Sequence, residues 1–379
     1  MRDVAVIGVD MIRFGRYEDK SVEDLATAPV IGALRDAGVP WKDVEAAYVA
    51  HEYQGLAAGQ RILAGVGASG LPITNIENAC SAGATAFREA YLMIALGRYD
   101  VVLALGCEKM ARGLIQQLPD DTWRTLGTDL IPAQFALLAR RHMHEYGTTR
   151  EQFAKVAVKA HKFGALNPYA QYRKEVTVEE VIGSRMVSDP ITLLMCCPTG
   201  DGAAAALLCS MDKARQYTGR PIKVAASALN STTYSEGIGS QNFGTCLREG
   251  PSLITVSARE AYEQAGLGPE DLDLVELHDA FATAELIHYE ELDLCRAGEG
   301  GRLIDEGVVD LGGKIPVNPS GGLLAKGHPL GATGVAQIVE IVWQLRGVCG
   351  DRQVKGAKVG LAEVAGTAGV NATHILLNS

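Results

Sequence analysis

The sequence is short of positive charge, of long apolar runs and of paired cysteines, and each shortage closes off a class of function. Lys and Arg number 35 against 45 Asp and Glu, a formal charge of −10. A nucleic-acid or anionic-membrane surface needs a dense cationic patch, so any phosphate-bearing ligand has to be held locally. No apolar stretch reaches the ~20 residues of a membrane-spanning helix. The opening MRDVAVIGVD is a β-branched strand pattern without a basic region and apolar run, so no secretory leader is expected. Eight cysteines are scattered (Cys80, Cys107, Cys196, Cys197, Cys209, Cys246, Cys295, Cys349), and none belongs to a CxxC pair matched by a second. Cys196 and Cys197 are adjacent, and His142 and His144 fall on different faces of a helix, so no metal site is expected. A reducing, cytoplasmic setting is expected, and the terminal LLNS matches no familiar address.

What is present is α/β text. The 379 residues are 47% hydrophobic, ample for a buried core. Short β-branched runs such as VAVIGV and DVVLALG alternate with alanine-rich helical stretches such as DLATAPVIGALRDAG. Two internal matches stand out. Ala33 to Glu45 (ALRDAGVPWKDVE) aligns without gaps on Ala261 to Asp273 (AYEQAGLGPEDLD), an offset of 228, and both read as helix, glycine cap, turn, strand. Gly83-Ala84-Thr85 pairs with Gly331-Ala332-Thr333 at an offset of 248, each opening an apolar helix, and that offset lays Cys80 on His328. Two matches in the same order imply two homologous halves, 1–215 and 216–379. The first half is longer through about 111–198, polar helical text such as LARRHMHEYG, which is expected to be an inserted cap over the active site. No linker rich in Pro, Gly or Ser separates the halves, so they are expected to pack as one unit.

Three motifs carry chemistry. In NIENACSAGATAFREAYLMIALG, small residues surround Cys80 just before a helix. Backbone N–H groups and the helix dipole there favour a thiolate, and small neighbours let an acyl group approach; a buried structural cysteine is the alternative. In NPSGGLLAKGHPLGATGVAQ, the run Gly327 to Gly334 presents His328 on a tight glycine-rich loop at a helix entry, where an imidazole can take a thiol proton. In Glu276-Leu277-His278-Asp279-Ala280-Phe281, His278 ends a strand, placed to donate to a thioester oxygen or, more plainly, to cap the next helix.

These motifs in this order, with CPTGDGAAAALL at Cys197 to Leu208, resemble the thiolase superfamily, and within it the sterol-carrier-protein (lipid-transfer-protein) branch. The resemblance implies a five-layer αβαβα fold of duplicated halves and a dimer or tetramer. It implies Cys80 as acylated nucleophile, His328 as its activator and an oxyanion donor, His278 as a second donor, and the backbone N–H groups of Cys80 and Gly366 as another oxyanion hole. One departure stands against it. Degradative thiolases carry an acid/base cysteine where this chain has Val364, and the sterol-carrier branch carries it where this chain has Ala280. Glu363, His278 or a water is the expected substitute.

The resulting expectation is cleavage of a 3-oxoacyl-CoA by coenzyme A, or the reverse condensation, with coenzyme A as co-substrate and no permanently bound cofactor. The rivals are a coenzyme A-ester aldolase and a non-catalytic lipid carrier, the latter disfavoured by the absence of an appended lipid-binding domain after ATHILL. Tyr53, Trp123 and Arg124 are candidates for a bulky, aromatic or carboxylated acyl group, and Arg140, Arg141 and Lys159 for the coenzyme A phosphates. The HDAF form is similar to that of archaeal acetoacetyl-CoA thiolases and benzoylsuccinyl-CoA thiolase, which implies a small zinc-ribbon/OB-fold partner protein.

Overall fold

Period-two alternation of small and β-branched residues gives strands buried on both faces. In β1 (Val4–Met11), Val4 and Val6 turn to one face, Ala5 and Ile7 to the other, and all four are fully buried. The computed structural model describes residues 1–113, 130–217, 220–232, 251–367 and 369–378. The other strands are β2 (Ala46–Ala50), β3 (Ile73–Ile76), β4 (Val101–Lys109), a small ribbon of β5 (Met186–Ser188) with β6 (Ile191–Thr192), then β7 (Asp201–Ser210), β8 (Ile222–Ser231), β9 (Leu274–Glu276), β10 (Val359–Gly366) and β11 (Val370–Leu377).

The large sheet runs β3-β2-β4-β7-β1-β8-β11-β10-β9, and antiparallel pairing of β1 with β8 joins its two halves. Outward from that junction each half presents its first strand, then its last, its penultimate and its second. The fifth and outermost place is held by β3 in one half and, in the other, by a parallel bridge from Val317 to Val275 of β9. Both copies of the internal match have the same local build. The helices Val22–Ala37 and Leu253–Ala265 end on Gly38 (φ 69) and Gly266 (φ 67), left-handed caps that glycine adopts without strain, and each leads through a 3₁₀ turn into β2 or β9.

Five layers follow from where the apolar faces go. Helix Val22–Ala37 and helix Ala58–Ala64 cover the outer face of the first half-sheet. Helices Ala82–Ala95 and Leu330–Leu345 fill the middle, packed on strands of both halves. Helices Leu253–Ala265 and Ala282–Glu291 cover the outer face of the second half-sheet. The inserted cap between β4 and β7 contributes helices Ile131–Tyr146, Arg150–Leu166 and Val178–Gly183. Its Phe135 stacks on Phe281 of the second half, ring centroids 4.4 Å apart.

The two central helices meet almost backbone to backbone. A Cβ on Gly83 would lie 2.7 Å from the Gly331 carbonyl oxygen, and one on Gly334 would lie 2.3 Å from the Ala84 nitrogen. Glycine at both places therefore brings the helix N-termini together, and with them Cys80 and His328.

Candidate active site

Cys80 sits in the 3₁₀ turn Ala79–Ser81 that opens helix Ala82–Ala95. The turn is strained, because the non-glycine Ala79 holds φ 49. The Ser81 hydroxyl donates to the Val364 carbonyl at 2.8 Å, pinning the Cys80 turn to β10. His328 follows Gly327 (φ 110), and its Nδ1 lies 2.8 Å from the Thr333 hydroxyl, while its buried Nε2 has no partner. His278 ends the segment after β9; its backbone N–H donates to Glu363 Oε2 at 3.0 Å, and its buried Nδ1 is unpartnered. The Asp279 carboxylate accepts the Leu323 N–H at 2.7 Å, tying the His278 segment to the turn that delivers His328.

These side chains converge. Cys80 Sγ and one ring nitrogen each of His278 and His328 lie within 4.8 Å of one another, and the rings meet edge to face at 5.0 Å. All three line one cavity of about 690 Å³ together with Gly366. Phe135, Phe281, Leu138 and Ile287 form its apolar wall, and Arg16, Arg112 and Arg185 supply cationic groups.

Electrostatics correct one expectation. The sequence reading expects a stabilised thiolate at Cys80. Burial instead pushes its pKa up to about 12, with the carboxyls of Glu52 and Glu108 adding to the rise and the backbone N–H groups of Thr367 and Cys80 opposing it. Cys80 therefore rests as a thiol at neutral pH. Burial, helped by the neighbouring imidazole of His278, holds His328 well below its ordinary pKa, and burial lowers His278 to about 4 despite Glu363 nearby. Both rings are neutral at neutral pH. Besides Cys80's own N–H, that of Thr367 faces the sulfur, with Gly366 beside it on the cavity wall.

The auxiliary candidates fare differently. Tyr53 is exposed and does not line the cavity, its N–H bonded to Glu108. Arg140 pairs with Asp189 and Arg141 with Glu145 (2.6 Å), and neither lines the cavity. Lys159 is a clear correction: it points into the interior, bonded to the Val317 carbonyl at 2.6 Å and ion-paired with Glu285, so it cannot meet a solvent-borne phosphate. Trp123 and Arg124 lie outside the described residues. Glu363 does not line the cavity; Asn371 holds Oε1, while Oε2 takes the His278 N–H and faces His288 Nδ1 at 3.2 Å.

Sequence reasoning did not single out Glu108, Thr333 or His288, which buttress or line the site, nor Cys197 as a residue of the cavity wall. Glu108, fully buried, accepts the N–H groups of Glu52 (2.9 Å) and Gly331 (3.1 Å), joining the halves beside the site. No local pattern announces it, but Cys197 belonged to a motif already singled out, and its extended neighbourhood was the available signal.

Residues 4–212 match the family description "Thiolase, N-terminal domain", and 251–379 match "Thiolase C-terminal domain-like". The acetyl-CoA acetyltransferase of Methanothermobacter thermautotrophicus is 43% identical, with 99% of each chain covered. Sterol carrier protein 2 of Bos taurus is 41% identical over 97% of this chain and 70% of its own. A solved Ltp2-ChsH2(DUF35) aldolase superposes at a TM-score of 0.86 and 26% identity, covering 99% of this chain and 98% of that one. The chain belongs to the thiolase family and is an acyltransferase of coenzyme A thioester metabolism.

Proposed function

We propose that this thiolase works through an acyl-Cys80 intermediate, cleaving a 3-oxoacyl-CoA with coenzyme A or running the reverse condensation. The observation that carries the reading is the cluster of Cys80 Sγ with ring nitrogens of His278 and His328. His328 Nε2 takes the thiol proton, and the thiolate attacks the 3-keto carbon. The tetrahedral oxyanion lies at the backbone N–H groups of the Cys80 turn and of Gly366 or Thr367. Collapse breaks the C2–C3 bond, and the departing enolate oxygen meets the new Nε2–H of His328 and the His278 ring. Donors of this kind each lower the barrier by roughly 3–4 kcal/mol, so loss of either histidine nearly silences turnover.

The apolar wall around Phe135 and Phe281, with arginines on the same cavity, supports a bulky, aromatic or carboxylated acyl group. Arg16, Arg112 and Arg185 replace Arg140, Arg141 and Lys159 as candidates to meet the coenzyme A phosphates. A homodimer or tetramer with a small zinc-ribbon/OB-fold partner, in the cytoplasm, fits this reading; support for a partner is the DUF35 protein named with the solved aldolase. Among the described residues no helix is long and apolar enough to cross a membrane.

The second reading, retro-aldol cleavage of a 3-hydroxyacyl-CoA, is favoured by Val364 and Ala280 standing where acid/base cysteines are implied. One experiment separates the two: the protein, with and without its partner, is given 3-oxoacyl-CoA and 3-hydroxyacyl-CoA esters and followed by mass spectrometry. Coenzyme A-dependent cleavage with an adduct on Cys80 supports the thiolase; aldehyde or ketone release without coenzyme A or adduct supports the aldolase.

A further inference from the structure

The thiolytic cycle leaves one proton without a carrier. When the C2–C3 bond breaks, C2 of the enolate must gain a proton, and the incoming coenzyme A thiol must then lose one. His328 is engaged with the sulfur and the enolate oxygen, and His278 with that same oxygen. Beyond these, the cavity is lined by five groups able to move a proton: Tyr172, Cys196, Cys197, His288 and Glu291; Tyr172 is 43% exposed at the rim, its ring stacked on His161.

Geometry separates them. His288 has Nδ1 3.2 Å from Glu363 and Nε2 3.7 Å from Glu291, so both its nitrogens face carboxylates, and Glu291 is drawn to the same ring. The Cys196 thiol turns back to the Thr192 carbonyl at 3.4 Å. Its backbone is extended (φ −114, ψ 141), which sends the next side chain to the opposite side. Cys197 is half-buried and a free thiol, and its N–H donates to the Ala280 carbonyl at 2.9 Å. That bond fixes it to the segment that carries His278. A negative charge on Cys80 opposes ionisation of Cys197, so the two sulfurs share one field, yet Cys197 stands outside the tight cluster of three. Both thiols line the one cavity, so substrate carbon held there is open to each of them. The unpartnered Nε2 of His328 and Nδ1 of His278 belong to the same cavity.

We propose that Cys197 is the acid/base of this enzyme, giving its proton to C2 of the enolate and recovering one from the thiol of coenzyme A. The step balances. The Cys197 thiol plus the enolate gives thiolate plus acyl-CoA; that thiolate plus the coenzyme A thiol gives the Cys197 thiol plus coenzyme A thiolate. The latter attacks acyl-Cys80, and the released Cys80 sulfur takes back the proton stored on His328. Burial raises the Cys197 pKa well above that of a free thiol, which keeps it protonated for the first transfer.

The proposal rests on the thiolase reading, and its test keeps the two apart. Wild type, Cys197→Ala, Cys197→Ser and Cys80→Ala proteins are given the 3-oxoacyl-CoA panel in D₂O. The Cys80 adduct is measured in a single turnover, and steady-state cleavage and deuterium at C2 of the released acyl-CoA are followed separately. A wild type that forms no Cys80 adduct from any ester overturns the thiolase reading and the proposal with it. The expected result is an adduct retained in Cys197→Ala while turnover falls by about 10²–10⁴, the range for a general acid/base, with Cys197→Ser equally impaired because a hydroxyl is too weak an acid. Turnover of Cys197→Ala within threefold of wild type, recovery by serine, or loss of the adduct along with turnover would each assign Cys197 a structural role and overturn it.

Discussion

The Thr333 hydroxyl decides which nitrogen of His328 carries a proton. Its single hydrogen is donated to the Pro329 carbonyl at 3.0 Å, so toward His328 Nδ1, 2.8 Å away, it can only accept. Nδ1 is therefore the protonated nitrogen, which leaves the buried, unpartnered Nε2 with a free lone pair, the form that the proposed base needs to take the Cys80 proton. Thr333→Val keeps the shape and removes the acceptor. The expected result is a fall in kcat of roughly 10²-fold, the scale of a misoriented catalytic group, with KM little changed and the melting temperature nearly preserved. Steady-state kinetics beside thermal unfolding checks it, and unchanged kcat would sink the tautomer argument.

Acid should destabilise the fold across a definite window. Unfolded, His278 titrates near 6.5; folded, burial lowers it to about 4. Between those values the unfolded chain holds the extra proton, so stability is complete above pH 6.5 and drains away as pH falls toward 4. This one group contributes about 3 kcal/mol of that loss. His374, fully buried with its Nδ1 3.0 Å from the Ser227 hydroxyl, is lowered to about 3 by the same cause and extends the window downward. Urea unfolding between pH 7 and 4 should show a shallower slope for His278→Asn than for wild type; identical slopes would count against buried neutral imidazoles.

How much of this was legible in the sequence depended on distance along the chain. Cys80, His278 and His328 each announce themselves through neighbours within a few residues: small side chains, a helix entry, a glycine run. The duplication was legible because both copies keep the helix, left-handed glycine and 3₁₀ turn in one contiguous stretch. What stayed hidden depends on partners far away in sequence. Glu363 reads as a free carboxylate until β10 and β11 lie side by side and Asn371 closes on it. The resting state of Cys80 differs from the expectation for the same reason: the helix N-terminus is local, whereas the burial and the Glu52 carboxyl that outweigh it come from elsewhere in the fold.

Lys159 is the sharpest case of a misread face. Helix Arg150–Leu166 looks basic and solvated in sequence, yet Phe153, Ala157, Ala160 and Phe163 are buried around the lysine. Its ammonium meets Glu285, which also accepts from the Tyr289 hydroxyl and from Asn318 Nδ2 at 3.1 Å. Lys159→Met strands that carboxylate, and breaking one side of a buried pair costs about 3–5 kcal/mol. The KM for coenzyme A of the molecules that remain folded should not move. Chemical denaturation and coenzyme A kinetics decide the matter: a raised KM with intact stability would return Lys159 to the phosphate-binding role.

A soft divalent cation should act on this enzyme as an inhibitor. Cys80 Sγ and the two imidazole nitrogens lie within 4.8 Å of one another, and thiolate with two histidines is a donor set that zinc accepts. Binding zinc requires the Cys80 proton to leave, so inhibition should strengthen as pH rises, following the high pKa of the buried thiol. Micromolar zinc is expected to abolish cleavage, a chelator to restore it, and prior acylation of Cys80 to protect against it. His278→Ala removes one ligand and should weaken zinc binding by at least about tenfold in calorimetry, on the scale of losing one coordinating contact. Zinc affinity that survives both Cys80→Ala and His278→Ala would place the metal elsewhere and leave the three side chains to the chemistry of the acyl group alone.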